Sequence, residues 1–488
     1  MLQDRNGRVR RSAVGALLAL ALGGAAAAPG GVASAAPLEG SPGAAGSGDQ
    51  YFPYAGNGGY DALHYDLDLR YTPPADPEVL SGRLRGVATV TLRATQDLSS
   101  FNLDLRGLTV RSVTVDGAPA RWSHLQDDER RRWELVVRPA QVVASGRTAT
   151  VVVTYGGATG RPEDSTGAPY GFVTTADGAM VVNEPEGAST WYPVDDDPAD
   201  KATYSFRIDV PEGKTAVANG LPVGEPVTRG GRTTWTWRAS DPMASYLSTA
   251  SIGDFELTRD TGPHGLPIIN AVDRDVQGKA LEQTRASLAR QPEMIRFFER
   301  RFGRYPFEAY GAIVDDDSVG YALETQTRPV YSRSADEQTV AHELAHQWFG
   351  NAVSPREWRH IWLNEGWATY AEWLWSASRG GPSLRQSFED AVAYLEDEDL
   401  WGLDITRPGR DQLFADQVYV RGGAALYALR KEVGQQAFNE GARRWLAIYD
   451  DDAATTPDFR RVYEQVAGRS LDVFFVDWLR DDDRPRMP

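Results

Sequence analysis

The segment SADEQTVAHELAHQWFGN, residues 334–351, decides how the second half of this chain folds. It contains His342 and His346, whose four-residue spacing places both imidazoles on one face of a helix, where they can reach one metal ion. Glu343 directly follows His342 and therefore lies on an adjacent face of the helix, so its carboxylate can reach a metal-bound water without binding the metal. Because the chain has only 6 histidines, a chance match to this pattern is rare.

The bounds of this helix also follow from its sequence. Ser334 and Glu337 have the spacing of a capping box, which predicts that the helix begins near Ala335. Gly350 and Asn351 are typical of a helix end.

A zinc ion needs a third protein ligand and an open position for water. Glu365 in WLNEGWATYAEW is the candidate, because it opens a second amphipathic helix for which Asn364 is a possible N-cap. The intervening turn is long enough to bring the two helices side by side. The sequence therefore predicts one zinc ion per chain, bound by His342, His346 and Glu365.

Composition excludes several classes of function. The chain has 488 residues, 51 Lys and Arg against 68 Asp and Glu, and a formal net charge of −17. This acidic balance argues against a nucleic-acid partner, whose phosphates need a basic surface. The absence of cysteine excludes disulfides, thiol catalysis and zinc–thiolate sites.

The first 35 residues have the pattern of a secretory signal peptide. Four arginines precede an apolar stretch from Ala13 to Ala28, and Ala33-Ser34-Ala35 has the small-x-small form of a cleavage site. No later apolar run is long enough to suggest a membrane span. We therefore expect a secreted, extracellular protein without stable membrane insertion.

The rest of the chain divides by periodicity. Residues 36–50 are rich in Gly, Ser and Pro and predict a flexible linker. Residues 51–258 contain short alternating stretches separated by turns, which favour antiparallel strands. Residues 259–488 are dominated by apolar residues at three- and four-residue steps, which favour helices. The predicted fold class is thus α+β and multidomain, with a β domain before a mainly helical one.

Several of these segments resemble one known family. HELAHQWFGN, eighteen intervening residues and the Glu of WLNEGWATY are similar to the M1 family of zinc aminopeptidases, the gluzincins. WYPVDDDPADKATYSFRIDV, residues 191–210, resembles the FPxxDEPxxKAxF segment of the same family. The resemblance implies a saddle-shaped N-terminal β domain and a thermolysin-like catalytic domain, in a short two-domain form that lacks the family's C-terminal domains.

The resemblance also implies a site for the amino end of a substrate. GYALETQT, residues 320–327, matches the family's GxMEN motif, in which the Glu binds the free α-ammonium group. Glu324 holds that position, and a carboxylate suits an ammonium because it accepts charged hydrogen bonds. Tyr321, Leu323 and Thr325 replace the motif's Gly, Met and Asn, and they leave the shape of the first side-chain pocket open.

Two further roles rest on the resemblance alone. In VVNEPEGASTWYP, Glu184 matches a second amine-binding position, and we expect its neighbour Glu186 to be solvated. QVYVRGGAALYAL resembles the family's Tyr-x-Lys-Gly segment, with Arg421 in place of Lys. Tyr419 would then be the phenol that hydrogen-bonds the tetrahedral intermediate, and Tyr427 lies on another face of the same helix.

Several acidic clusters remain. None has the spacing of an EF-hand, so we expect solvated turns rather than calcium sites. The clusters are 195–197, 315–317, 396–399, 450–452 and 481–483.

The resemblance implies a zinc aminopeptidase, a peptide hydrolase. Zinc would acidify a water, Glu343 would act as general base, and Tyr419 would stabilise the oxyanion. Glu324 and Glu184 would hold the α-ammonium group and restrict cleavage to the first residue. The expected partners are peptides with a free N-terminus, and the expected state is a monomer. Two alternatives stay open: an endopeptidase on the same zinc site, and a non-enzymatic binding scaffold with the same fold.

Overall fold

The structure is a computed structural model that describes residues 39–317 and 319–488. The predicted signal peptide, residues 1–35, lies outside the described residues. Among the described residues, none of the helices combines the length and the apolar character that a bilayer crossing requires.

Short strands form the first part of the chain, because apolar residues alternate with polar ones between turn residues. The strands are β1 (Ser41–Pro42), β2 (Tyr60–Thr72), β3 (Arg83–Ala94), β4 (Leu98–Asp104), β5 (Thr109–Val115), β6 (Ala118–Pro119), β7 (Arg121–His124), β8 (Glu134–Arg138), β9 (Thr148–Ala158), β10 (Gly171–Thr174), β11 (Ala179–Val182), β12 (Lys201–Pro211), β13 (Thr215–Ala218), β14 (Leu221–Pro222), β15 (Val227–Arg229), β16 (Arg232–Ala244) and β17 (Ala250–Gly253).

These strands form three sheets. The largest has the order β14-β16-β12-β2-β3-β9-β5-β6, with β15 also paired to β16, and its neighbours are antiparallel except for β2 and β12. Two smaller sheets have the orders β1-β4-β8-β7 and β10-β11-β17-β13. The alternating burial along β2 and β3 shows that one face of the large sheet packs against the core.

The second part of the chain is mainly helical. Its elements are β18 (Phe255–Thr261), β19 (Pro267–Asp273), α1 (Gly278–Leu288), α2 (Gln291–Phe302), β20 (Tyr310–Asp315), β21 (Val330–Ser332), α3 (Glu337–His346), β22 (Val353–Pro355), α4 (Trp362–Ser378), α5 (Leu384–Asp397), α6 (Asp416–Val433), α7 (Gln435–Ile448), β23 (Asp452–Ala454), α8 (Thr456–Ala467) and α9 (Asp472–Leu479). The predicted fold class, an antiparallel β domain before a mainly helical one, is confirmed.

The sheet of the second part begins earlier than the predicted domain boundary. Strand β18 pairs antiparallel with β19. Strand β19 pairs in parallel with β20, and β20 pairs in parallel with β21. The boundary predicted after residue 258 lies inside β18. Hydrogen bonds to β19 therefore tie both ends of β18 to the second part of the chain.

The described part of the predicted flexible linker, residues 39–50, is packed against the rest of the chain. Strand β1 pairs with β4, and Asp49 is buried. One Asp49 carboxylate oxygen accepts hydrogen bonds from the amides of Tyr51 and Phe52, and the other accepts one from the amide of Trp358 at 2.7 Å. The prediction of flexibility is wrong here, because Gly and Ser content does not reveal these long-range partners.

The acidic clusters divide into two kinds. Residues 396–399, 450–452 and 481–483 are exposed, as predicted. Asp195, Asp196 and Asp315 are instead buried, so the prediction of solvated turns is wrong for them. Donors that are distant in the sequence explain part of this burial: Asp195 accepts from the amide of Asn57 at 2.7 Å, and Asp196 accepts from the hydroxyl of Ser245 at 2.7 Å.

Helices α4 and α6 cross at a pair of glycines. A Cβ atom added at Gly422 would lie 2.8 Å from the Cα atom of Gly366. Glycine at both positions therefore lets the two backbones approach more closely than any other residues would allow. Glu365 precedes one of these glycines, and Tyr419 lies one helical turn before the other, so the crossing brings both side chains to the same place.

We predict that Gly422→Ala destabilises the protein although alanine favours helices by about 1 kcal/mol. The added methyl group would overlap backbone, which cannot move aside as a side chain can, and overpacking of this kind typically costs about 1–3 kcal/mol. Urea denaturation would measure the change against Gly402→Ala, whose added Cβ would meet no atom within 4 Å. Equal or greater stability of Gly422→Ala would contradict this account of the crossing.

Candidate metal centre

Helix α3 carries both histidines and begins later than predicted. Asp336 is its N-cap, and the Asp336 carboxylate accepts hydrogen bonds from the amides of Gln338 at 2.9 Å and Thr339 at 3.0 Å. The predicted cap, Ser334, is therefore wrong, because a carboxylate two residues later satisfies the first free amides of the helix. The α-helix ends at His346, short of the predicted glycine.

Helix α4 brings the third candidate ligand to the histidines. It begins at Trp362, so Asn364 lies in its first turn and is not the predicted N-cap. Glu365 directs its Oε2 atom at both rings, 3.3 Å from Nε2 of His342 and 3.4 Å from Nε2 of His346. The spacing along two helices thus produces one point at which three side chains converge.

The other nitrogen of each ring has its own partner. Nδ1 of His342 lies 2.5 Å from Oε1 of Glu372, and Nδ1 of His346 lies 3.1 Å from the carbonyl oxygen of Phe349. These contacts orient the rings so that both Nε2 atoms face Glu365. No sequence motif indicated Glu372, although its position seven residues after Glu365 places it on the same face of α4.

Charge and burial act in opposite directions at this site. Burial lowers the pKa of His342, but hydrogen bonds with Glu365 and Glu372 outweigh it and hold the pKa well above its ordinary value. Burial likewise lowers the pKa of His346, yet the charges of Glu365 and Glu324 raise it to about 9. Burial would raise the pKa of Glu365, but the two histidines lower it to about 2.

The three side chains fit a zinc ion. The ligand atoms of His342, His346 and Glu365 all lie within 4.8 Å of one another. Two imidazole nitrogens and one carboxylate oxygen are a common donor set for zinc sites that keep a position open. Because Oε2 of Glu365 lies close to Nε2 of both histidines, one ion placed among these atoms could bind all three side chains.

Three more glutamates face the same place with unused oxygens. Glu184, Glu324 and Glu343 are buried, and each has one carboxylate oxygen without a hydrogen-bond partner among the described residues. Burial raises the pKa of all three carboxyl groups, that of Glu343 to about 8. Oxygens of Glu184, Glu324 and Glu365 lie within 4.8 Å of one another. Such a group of buried acids is a site prepared for positive charge.

The segment after the histidines holds Glu324 in position. The side-chain amides of Gln347 and Asn351 donate to the backbone carbonyl of Glu324, at 3.1 Å and 2.8 Å. Gln347 also accepts from the amide of Thr327 at 2.8 Å. The sequence alone did not indicate a role for these two amide side chains. The QWFGN portion of the motif thus fixes the distance between Glu324 and the metal ligands.

Tyr419 reaches the centre from helix α6. Its ring stacks on His342, with the two ring centroids 6.1 Å apart. Burial and the negative charge of Glu365 raise the pKa of Tyr419 well above its ordinary value, so the phenol keeps its proton. Tyr427 stacks instead on Phe388, with centroids 4.6 Å apart, and does not line the metal-centre cavity.

The predicted contrast between Glu184 and Glu186 is only partly correct. Glu184 lines the cavity, but Glu186 is buried rather than solvated. The guanidinium of Arg131 forms a salt bridge with Glu186, and the hydroxyl of Tyr170 lies 3.3 Å from the same carboxylate. The charge of Glu186 is therefore balanced by Arg131, another residue of the β domain.

All seven predicted site residues line one cavity of about 230 Å³, which also includes Glu372 and Tyr321. The seven are Glu184, Glu324, His342, Glu343, His346, Glu365 and Tyr419. Tyr321 stands where the resembled motif has glycine, and its hydroxyl donates to the carbonyl oxygen of Pro169 at 2.8 Å. This tyrosine therefore forms a wall of the cavity that joins the catalytic part to the β domain.

This fold and this arrangement of ligands are those of the gluzincin class of zinc metallopeptidases. Residues 61–247 match the model of the peptidase M1 N-terminal domain, and residues 288–478 match that of the peptidase family M1 domain. The chain belongs to the M1 family.

Curated relatives are similar over part of their length. Aminopeptidase M1 of Arabidopsis thaliana is 27% identical over 336 residues, which cover 63% of this chain and 37% of the relative. Leucyl aminopeptidase of Saccharolobus solfataricus is 26% identical over 338 residues, which cover 63% of this chain and 42% of the relative. The chain thus spans about two fifths of the length of these relatives.

Solved structures of similar size match more completely. The M1 zinc metallopeptidase of Deinococcus radiodurans is 27% identical with a TM-score of 0.81, and the match covers 91% of this chain and 99% of that chain. A mutant of the Deinococcus enzyme, crystallised with a Tyr-Ser-Ala substrate, matches with a TM-score of 0.82.

We predict that Glu372→Gln weakens zinc binding about 10- to 100-fold, because the amide is a poorer partner for the His342 ring than the carboxylate. Zinc remaining after dialysis against graded chelator concentrations would measure this affinity. Glu440→Gln, on the exposed face of α7, is the matched control and should retain zinc as the unmodified protein does. Equal zinc affinity in the two variants would show that Glu372 does not orient His342.

Proposed function

We propose that this protein is a zinc-dependent aminopeptidase that removes residues from the free amino end of peptides. The observation that carries the proposal is the pair of buried carboxylates, Glu184 and Glu324, beside the candidate metal ligands. An α-ammonium group offers three donors and a full positive charge, which these unused oxygens would accept. An internal peptide segment would leave both carboxylates buried and unpaired.

His342, His346 and Glu365 would hold the zinc ion. When bound, zinc is a Lewis acid that polarises a carbonyl group and makes a water molecule more acidic. The identity of the metal is supported by the donor set and by membership of the M1 family.

Glu343 acts as the general base and then as the general acid in this proposal. It accepts a proton from the attacking water and passes it to the departing amine. One buried carboxylate oxygen of Glu343 supports this role, because no group among the described residues donates a hydrogen bond to it. That oxygen is therefore available to accept a proton.

Tyr419 acts on the side of the scissile carbonyl that is opposite the zinc ion. Its protonated phenol donates a hydrogen bond to the carbonyl oxygen as negative charge develops there. Glu184 and Glu324 meanwhile fix the position of the amino end, so the bond that reaches Glu343 and Tyr419 is the first one.

The tripeptide Tyr-Ser-Ala and its N-acetylated form are a matched pair of substrates. We expect cleavage of the free tripeptide only, and we expect a zinc chelator to abolish it, because acetylation removes the charge that Glu184 and Glu324 bind. Mass spectrometry of the products would identify the bond cleaved. Equal cleavage of both peptides would favour the endopeptidase alternative, and cleavage of neither by zinc-loaded protein would favour the binding scaffold.

A control for this assay is Glu324→Gln, which keeps the shape of the side chain but loses its charge. The kcat/KM for the free tripeptide should fall about 100-fold or more, since a buried charge pair loses one partner. An unchanged kcat/KM for the free tripeptide would remove Glu324 from amine recognition.

We predict that Tyr419→Phe lowers kcat about 100- to 1000-fold, because one hydrogen-bond donor to the developing oxyanion is lost. Zinc content and KM should stay close to those of the unmodified enzyme, since Tyr419 is not placed to bind either the metal or the α-ammonium group. Tyr427→Phe, on the same helix, is the matched control and should retain full kcat. Comparable kcat values for the two variants would contradict the role given to Tyr419.

We also propose that the protein is secreted and monomeric. The arginine-rich and apolar pattern of residues 1–35 supports export, with cleavage after Ala35. N-terminal sequencing of protein recovered from the culture medium would test the cleavage site, and light scattering would test the monomer.

A further inference from the structure

A second group of carboxylates lies outside the metal-centre cavity. We propose that Asp177, Asp273, Asp315 and Asp316 bind a divalent cation of the calcium type. Carboxylate oxygens of Asp177, Asp273 and Asp316 lie within 4.8 Å of one another. One Ca²⁺ ion can bind several oxygens at distances of about 2.3–2.6 Å, so a group this close can share an ion.

The sheet topology places two of these acids side by side. Asp273 is the last residue of β19, and Asp315 is the last residue of β20. These strands are parallel and in register, with Val272 opposite Val314, so the next residues on each strand are neighbours. Asp177 approaches from the turn between β10 and β11, which belongs to the β domain. The candidate site therefore joins the two parts of the chain.

Asp315 supplies an independent indication of a ligand. Its side chain is only 1% exposed, and its Oδ1 atom accepts a hydrogen bond from the amide of Asp317 at 3.0 Å. Its Oδ2 atom is buried and has no hydrogen-bond partner among the described residues. Burial raises the pKa of Asp315, and the charges of Asp177, Asp273 and Asp316 raise it further. The unused oxygen thus belongs to a buried carboxyl group that lies next to Asp273 at the paired ends of β19 and β20.

In the described part of the chain, nearby basic residues pair with only one of the four acids, Asp177. Lys214 lies 2.9 Å from Asp177 and 3.0 Å from Asp254. Within residues 39–317 and 319–488, no Lys or Arg side chain forms a salt bridge with Asp273, Asp315 or Asp316. Carboxylates held together without a basic partner among the described residues, as Asp273, Asp315 and Asp316 are, repel one another, and a bound cation would reverse this effect.

The chemistry of the donors favours calcium over zinc. The four side chains offer only carboxylate oxygens, which hard cations prefer, and the described group contains no imidazole. Ca²⁺ accepts irregular arrangements of six to eight oxygens, whereas Mg²⁺ demands a near-octahedral one. Because Asp316 is exposed, an ion could reach the site from solvent.

Cation binding at this place would restrain a segment of the proposed active site. Asp316 lies in the segment that leads from β20 to Tyr321 and Glu324. Ser332, the partner of Asp315 in β21, already holds this segment, because its hydroxyl donates to the carbonyl of Tyr321 at 2.8 Å. A cation shared by Asp316, Asp273 and Asp177 would add a second restraint, one that reaches the β domain.

Calorimetric titration of zinc-loaded protein with CaCl₂, in buffer freed of calcium by ion-exchange resin, tests the proposal. We expect saturable binding of one ion with a dissociation constant of about 10⁻⁵–10⁻³ M. Asp316→Asn should weaken binding at least tenfold, while Asp450→Asn, in an exposed acidic cluster, should not change it. Absence of saturable binding, or equal loss in both variants, would overturn the proposal.

Thermal unfolding provides a second readout that does not depend on peptidase activity. CaCl₂ at 5 mM should raise the Tm of the unmodified protein and of Asp450→Asn. Asp315→Asn should keep or raise the Tm in calcium-free buffer, because it relieves repulsion, and should abolish the calcium-dependent increase. A calcium-dependent increase that survives in both Asp315→Asn and Asp316→Asn would overturn the proposal. Zinc content measured before and after the titration would show whether the catalytic centre keeps its zinc, so that a change caused by zinc loss is not mistaken for calcium binding.

Discussion

A group of carboxyl groups buried together in one cavity, which can ionise cheaply only beside a cation, is the constraint on which the proposed active site depends. Glu184, Glu324, Glu343 and Glu365 are all buried there, and burial of carboxylates is costly unless positive charge is close. The two histidines partly compensate Glu365, but the other three glutamates keep unused oxygens. A metal ion held by the protein and the ammonium group of a bound peptide are the two cations that this cavity would hold. Binding and the position of cleavage then have one electrostatic cause.

Rigid packing around the cavity makes this arrangement specific. Besides the glycine crossing of α4 and α6, a buried guanidinium anchors α6: Arg421 donates to the carbonyl oxygens of Trp401 at 2.6 Å and Trp478 at 2.7 Å. Burial lowers the pKa of Arg421 to about 10. Arg328 similarly joins the two parts of the chain, because it donates to carbonyls of Ala218 and Ile269. Arginine suits these places, since one side chain can satisfy several backbone acceptors.

The sequence predicted the site better than its surroundings. Four-residue spacing and local motifs brought His342, His346 and Glu365 to one point, because helix geometry converts spacing into a shared face. Glu372 followed the same rule but was missed, since a lone acid on a helix carries no signal. The burial of Glu186 depends on Arg131, a contact between residues 55 positions apart that no local pattern reveals. Likewise, only the sheet register shows that Asp315 neighbours Asp273.

Anomalous X-ray scattering at the zinc edge, from crystals of the zinc-loaded protein, tests the central claim most directly. The account predicts one strong peak in the cavity, bonded at about 2.0–2.2 Å to Nε2 of His342, Nε2 of His346 and a carboxylate oxygen of Glu365. Glu184 and Glu324 should remain free to bind an amine. A peak bonded to Glu184 and Glu324 instead of the histidines, or no peak in the cavity, would contradict the account.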